Sequence, residues 1–312
     1  MDKVTYITGR LLQMIPTVIV ITVLVFLIVR LIPGDPAVTY LGIRATPEKI
    51  ADLNARWGLD KPIYVQFGLF VVNIFKGDLG ESLISRIPVI DLIKMRLPLT
   101  LFMAAYAAII AVLCAVPLSL VAAMNKDKFI DQVIRAVFVT ILSTPGFFIG
   151  ILLLIVFSVK LQLFPVGGVG ATFTAKLRDL FLPSLTLGLG LMAVLTRNLR
   201  DGIIGILRSE HVVFAHAKGL SERLIMLRHV LRNAMVSGLT ILGIYMSWLV
   251  GGAVIIETVF ALPGIGYTMV QAILGRDYPT VQALTLVFGI LVSLIYLITD
   301  VVYSFLDPRV SL

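Results

Sequence analysis

The chain has 312 residues, of which 59% are hydrophobic and only 14% charged, and its mean hydropathy is +1.02. Soluble domains run nearer half apolar and a quarter charged, so an ordinary soluble enzyme, a disordered chain and a coiled coil are excluded. The net charge of +8 therefore reads as loop charge that orients membrane spans rather than as a nucleic-acid surface. The single cysteine, Cys114, sits in an apolar run and permits no intrachain disulfide.

A helix needs about 20 mostly apolar residues to cross about 30 Å of hydrocarbon. Six stretches meet or approach that length: 11–29, 97–124, 136–159, 180–196, 234–256 and 279–299. The first is too long for a signal-peptide core and lacks a cleavage pattern, so it is predicted to be a retained span. The fourth is the shortest. Pro183 near its start is tolerated in a first helical turn, and the chain is expected to stay helical past Arg197. Six spans place both termini on one side.

Lys and Arg then choose the side. With the termini inside, segments 1–10, 125–135, 197–233 and 307–312 hold 13 basic residues. The outer segments also hold 13, but 9 of these fall in the long loop 30–96, and long loops weigh little in the rule. The short loops therefore put both termini in the cytoplasm. The expected organisation is an N-terminal segment and first span over 1–32, an extracytoplasmic region over 33–96, and a five-helix core over 97–312 carrying a cytoplasmic loop at 197–233.

The outer region should be helical over Pro47–Gly58 and should turn at Lys76-Gly77-Asp78. Its aromatic residues Trp57, Tyr64, Phe67 and Phe70 either anchor an external partner or pack the loop onto the span ends. Ala104, Ala108, Ala111 and Ala115 share a face of the second span, and Gly251-Gly252 lie late in the fifth, a small-residue pattern that allows close helix approach in lipid. Pro117, Pro145-Gly146 and Pro183 either kink their helices or free backbone groups towards a cavity. The acids noted in or beside the spans, Glu257 and Asp300, sit near span ends, either solvated or packed between helices.

No Gly-x-x-x-x-Gly-Lys-Ser/Thr stretch occurs, so the sequence offers no P-loop for ATP. His211 and His216 are five apart, which is not the one-face spacing of a helical metal pair. Neither a metal nor another cofactor is expected. The most informative stretch is 203–233. Val212, Ala215 and Gly219 can share one helical face, Gly219 can end that helix in a left-handed conformation, and Ser221 can start another. A short amphipathic helix below the membrane can dock into a groove on a partner or lie on anionic lipid.

AHAKGLSERLIMLRHVLRNA (Ala215–Ala234) resembles the EAA loop of ABC importer permeases, and most closely that of the first permease subunit of dipeptide and oligopeptide importers. The resemblance extends along the chain. It includes RLIPGDPA (Arg30–Ala37), GLDKPIYVQF (Gly58–Phe67), KGDLGESLISRIPV (Lys76–Val89), FLPSLTLG (Phe181–Gly188), IIETVFALPGIGYTMVQAILGRDYPTVQA (Ile255–Ala283) and DVVYSFLDPRV (Asp300–Val310). Val213-Phe214 stands where the family often has Arg-Thr, His216 where it has Arg, and Ser237 where it has Pro.

The resemblance implies an all-α integral membrane protein with the type I ABC importer permease fold, in a bacterial inner membrane. It implies a heterodimer with a second, homologous permease, cytoplasmic ATP-binding subunits that supply the ATPase activity, and an extracytoplasmic substrate-binding protein. Carried over, Glu210, Val212, Ala215, Lys218 and Gly219 are the coupling positions, and region 33–96 becomes the candidate contact for the binding protein, with Trp57, Tyr64 and Phe67 as anchors unless they pack the loop instead. Small peptides are the implied cargo, with glutathione, nickel or metal chelates as the family's other substrates. From the residues alone, a standalone channel is the competing function.

Overall fold

The computed structural model describes residues 3–31 and 36–306. The stretch 32–35 of RLIPGDPA and the end of DVVYSFLDPRV from residue 307 lie outside the described residues. The helices in chain order are α1 (Lys3–Leu31), α2 (Pro36–Leu41), α3 (Pro47–Trp57), α4 (Ile63–Phe75), α5 (Val89–Met124), α6 (Phe129–Ser143) and α7 (Gly146–Leu153). They continue with α8 (Phe173–Asp179), α9 (Phe181–Leu207), α10 (Glu210–Ala217), α11 (Glu222–Leu224), α12 (Arg232–Val259), α13 (Ile265–Leu274) and α14 (Tyr278–Leu306). Two π-helical segments, Leu154–Lys160 and Ile225–Leu231, extend α7 and join α11 to α12.

Five of these helical stretches are long and apolar enough to cross a membrane: Thr8–Leu27, Val89–Met124, Phe181–Leu207, Glu222–Val259 and Tyr278–Val301. They match five of the six expected spans. The sixth, expected over 136–159, is broken: Phe129–Ser143 and Gly146–Lys160 are bent by 107°. The cause is local. Pro145 disfavours the α conformation at the residue before it, and Thr144 is extended at φ −104° and ψ 133°. The helix restarts with the Phe148 N–H donating to the Pro145 carbonyl at 3.0 Å. By contrast α5 runs unbroken through Pro98 and Pro117. Helix α9 begins two residues before Pro183 and continues to Leu207, as expected.

Contacts divide the chain into two compact units. The first contains residues 1–10, 101–262 and 294–312. Its core is built on small residues: Ala104, Ala107, Ala108, Ala111 and Ala115 of α5 are buried with Leu191, Met192, Ala193 and Leu195 of α9. The backbones nearly touch, because a Cβ on Gly188 would lie 2.7 Å from the Ala107 carbonyl oxygen. Packing rather than water exclusion holds helices together in lipid, which favours this kind of seam. A Cβ on Gly252 would lie 3.1 Å from Leu187, whereas one on Gly251 would have nothing within 4 Å. Asp300 pairs with Arg10 at 3.2 Å. Glu257 is fully buried in α12, so it is helix-packed and not solvated.

The second unit contains residues 11–100 and 263–293. Here Val89 and Ile93 pack with Ile265, Ala283 and Leu284. Thr46 caps α3 and Gly58 ends it at φ 67°, and Gly77 makes the expected turn at φ 75°. Asp277 staples the unit. Buried at the start of α14, it accepts hydrogen bonds from the Ser82 hydroxyl at 2.5 Å and the Thr280 hydroxyl at 2.8 Å.

Candidate functional site

Segment 208–231 is built onto one end of the first unit. Residues Ala123 of α5, Leu199 and Ile203 of α9, and Ala234 of α12 form a buried cluster with Val212, Ala215, Ile225 and Val230. Helix α10 therefore rests on the ends of three long helices. Its C-terminus is a glycine-terminated Schellman turn. The Leu220 N–H donates to the Ala215 carbonyl at 3.3 Å, and the Gly219 N–H donates to that of His216 at 2.9 Å, with Gly219 at φ 75°. Ser221 precedes α11 as expected, although its hydroxyl makes no capping bond.

The five coupling positions fall into two sets. Val212 and Ala215 are 1% and 5% exposed and face the chain's own core, while Glu210, Lys218 and Gly219 are exposed. The turn bends the chain beyond the face that Val212 and Ala215 share. Two apolar residues not among the five also point outward: Val213 at 63% exposure and Phe214 at 60%. The Lys218 ammonium sits 4.6 Å from the Phe214 ring centroid.

His216 bridges α10 to α11. Its Nδ1 lies 2.9 Å from the Val212 carbonyl and its Nε2 lies 2.9 Å from the Glu222 carboxylate. Two acceptors facing two ring nitrogens favour the doubly protonated ring. The Val212 carbonyl first, then Glu222, raise the imidazole pKa above its ordinary value.

Sequence reasoning missed a buried ion pair beside this segment. Arg200 of α9 grips Asp131 of α6 with Nε–Oδ1 and Nη2–Oδ2 both at 2.6 Å, and its Nη1 reaches Asp201 at 2.8 Å. Asp131 is fully buried. From the sequence both residues fell in cytoplasmic segments outside the apolar runs, which begin at 136 and end at 196. The visible signal was an acid and a base each within a turn or two of a span end.

Residues 115–312 match the family described as binding-protein-dependent transport system inner membrane component, and residues 3–104 match its N-terminal counterpart. The chain belongs to this family. It is 38% identical over 305 residues to a glutathione transport system permease protein, GsiC, of Salmonella choleraesuis, covering 98% of each chain. The counterpart from Escherichia coli O6:H1 is 37% identical over 305 residues. A putative peptide transport system permease protein of Brucella suis is 38% identical over 304 residues, covering 96% of this chain and 97% of that one.

The chain is thus an inner membrane permease component of an ABC transport system, with the type I permease fold, and not itself the enzyme. Such a permease works with ATPase and substrate-binding partners. The aromatic residues of its second unit divide in the structure. Phe67 and Phe70 pack on Phe26 of α1, with ring centroids 5.1 and 5.8 Å apart. Trp57 stacks edge-on against Tyr40, and Tyr64 is exposed. Trp57 also lines a cavity of about 970 Å³, together with Arg30, Lys61, Glu81 and Tyr278. Gln66 fixes Arg30 there by accepting from its Nη2 at 2.7 Å, while its own amide donates to the Lys61 carbonyl at 2.8 Å.

Proposed function

We propose that this permease pairs with a second, similar permease to carry small peptides inward, with both termini in the cytoplasm and 33–96 outside. Segment 208–231 then meets the ATP-binding subunits. The observation that carries this reading is the two-sided build of α10. Val212 and Ala215 seat it on α5, α9 and α12, leaving Glu210, Val213, Phe214, Lys218 and Gly219 outward for a partner groove.

ATP binding has to favour one arrangement of the path over another by a few kcal/mol. A helix packed on three span ends can transmit that bias. Trp57, which lines the cavity of the second unit, and the exposed Tyr64 are the proposed contact for the binding protein, whereas Phe67 packs on Phe26. The absence of a P-loop supports assigning ATP hydrolysis to the partners.

Glutathione is the second reading of the cargo, favoured by the GsiC relatives. A deletion strain carrying the permease with its partner genes should take up labelled alanyl peptides. Glutathione uptake with no peptide uptake would move the cargo to the second reading. Uptake of neither, with no co-purifying ATPase, would end the importer reading.

A further inference from the structure

Helices α6 and α9 of the first unit enclose a groove of about 470 Å³ whose wall is apolar, formed by Phe138, Val139, Leu142 and Ala193. One end is basic: Arg135, Arg197 and Arg200 line it beside Asp201. The groove follows the membrane boundary marked in the sequence. The apolar runs 136–159 and 180–196 begin and end next to Arg135 and Arg197.

Val139, Leu142, Arg135 and Arg197 are exposed along the groove, and Phe138, Ala193 and Arg200 form its buried floor. Val139 is 60% exposed, which is ordinary beside acyl chains and costly beside water. Among the charges, Arg200 is held by Asp131 and Asp201, and Arg135 lies 3.7 Å from the same Asp131. Arg135 and Arg200 thus share Asp131, Arg200 also holds Asp201, and Arg197 adds a third guanidinium to these two carboxylates. The basic end keeps a net positive charge at the depth of a lipid headgroup.

We propose that this groove is a binding site for one anionic phospholipid of the cytoplasmic leaflet. An acyl chain lies along Phe138, Val139 and Leu142, and Arg135 and Arg197 hold the phosphate. Arginine suits that role because its planar fork matches phosphate oxygens, and basic pockets between transmembrane helices bind acidic headgroups. The leaflet assignment rests on the orientation given under Proposed function. The occupancy of the groove does not, because it follows from charge and apolar exposure alone.

The site is tested on the full importer complex in detergent, by native mass spectrometry after exchange into equal amounts of phosphatidylglycerol and phosphatidylcholine with matched chains. Wild type should retain phosphatidylglycerol preferentially. Arg135→Gln and Arg197→Gln should each lower that retention about fivefold, the factor expected for one basic residue near a lipid surface. Val139→Trp should lower it by filling the groove while leaving every charge in place. Inorganic phosphate should not displace the lipid.

Equal retention of both lipids, or retention unchanged in the Arg135→Gln/Arg197→Gln double variant, would overturn the proposal. So would displacement by inorganic phosphate, or a crosslink from position 139 to the second permease. Arg200 and Asp131 stay intact in every variant, and thermal melting of each complex reports folding separately. Lipid retention is read without substrate or ATP, so its failure is distinguishable from failed uptake.

Discussion

Replacing Gly219 with valine isolates the turn that ends α10. Nothing lies within 4 Å of a Cβ built at Gly219, so crowding contributes nothing. The cost is conformational. A left-handed L-residue costs roughly 1–2 kcal/mol, and a β-branched side chain lies at the upper end. If the turn relaxes instead, it gives up the bonds from Gly219 to His216 and from Leu220 to Ala215, each contributing about 0.5–1.5 kcal/mol. Either route costs about 1–3 kcal/mol, a 5- to 150-fold shift against the native turn. Val212, Ala215 and the three supporting span ends are untouched, so membrane insertion should be normal.

The assay is peptide uptake at matched permease levels, alongside ATPase stimulation by the binding protein. Gly219→Val should lower uptake by about 5- to 150-fold, Gly219→Ala should reduce it less, and Gly219→Asn should retain most of it because asparagine tolerates the left-handed region. Normal uptake by the valine variant, or equal damage from asparagine and valine, would refute the reasoning.

Asp131→Asn leaves the buried Arg200 with only the exposed Asp201, and should destabilise the complex by about 3–5 kcal/mol in thermal unfolding. Gly188→Ala should cost about 1–3 kcal/mol, because its Cβ meets the fixed Ala107 carbonyl. Gly251→Ala, with open space around it, should leave the melting temperature unchanged or raised. The Val212 carbonyl, and after it the Glu222 carboxylate, favour protonated imidazole and raise the His216 pKa. The His216–Glu222 bridge should therefore protect residues 210–225 from hydrogen exchange fully below pH 6.5, the ordinary imidazole value. That protection should fade as pH rises through the raised pKa, and His216→Gln should flatten the profile.

Much of this architecture was legible because lipid imposes a coarse rule. Apolar length marks spans, and five of them are continuous helices where the sequence placed them. The third is bent at Pro145-Gly146, where the sequence already marked an interruption or a kink, but hydropathy carries no measure of the 107° bend that follows from the extended Thr144. Pro117 carries the same composition signal yet sits in an unbroken helix, so proline alone does not mark a break.

The alanine face of α5 was readable from its spacing. The Asp131–Arg200 pair was not, because each residue lies beyond an apolar run and only the tertiary contact joins them. At α10, periodicity grouped Val212, Ala215 and Gly219 on one face. Burial then divided them, because a buried helix face looks the same in sequence whether it meets its own core or a partner. The outward pair Val213-Phe214 was visible only as a departure from the family's pattern.

The decisive experiment places a photo-crosslinker in turn at Phe214, Lys218 and Val212 of the assembled importer during ATP turnover. Phe214 and Lys218 should capture an ATP-binding subunit, with a yield that changes between nucleotide-bound and nucleotide-free states, while Val212 should capture only this chain. No adduct from either outward position in any nucleotide state would contradict the assignment of 208–231 as the segment through which ATP drives transport.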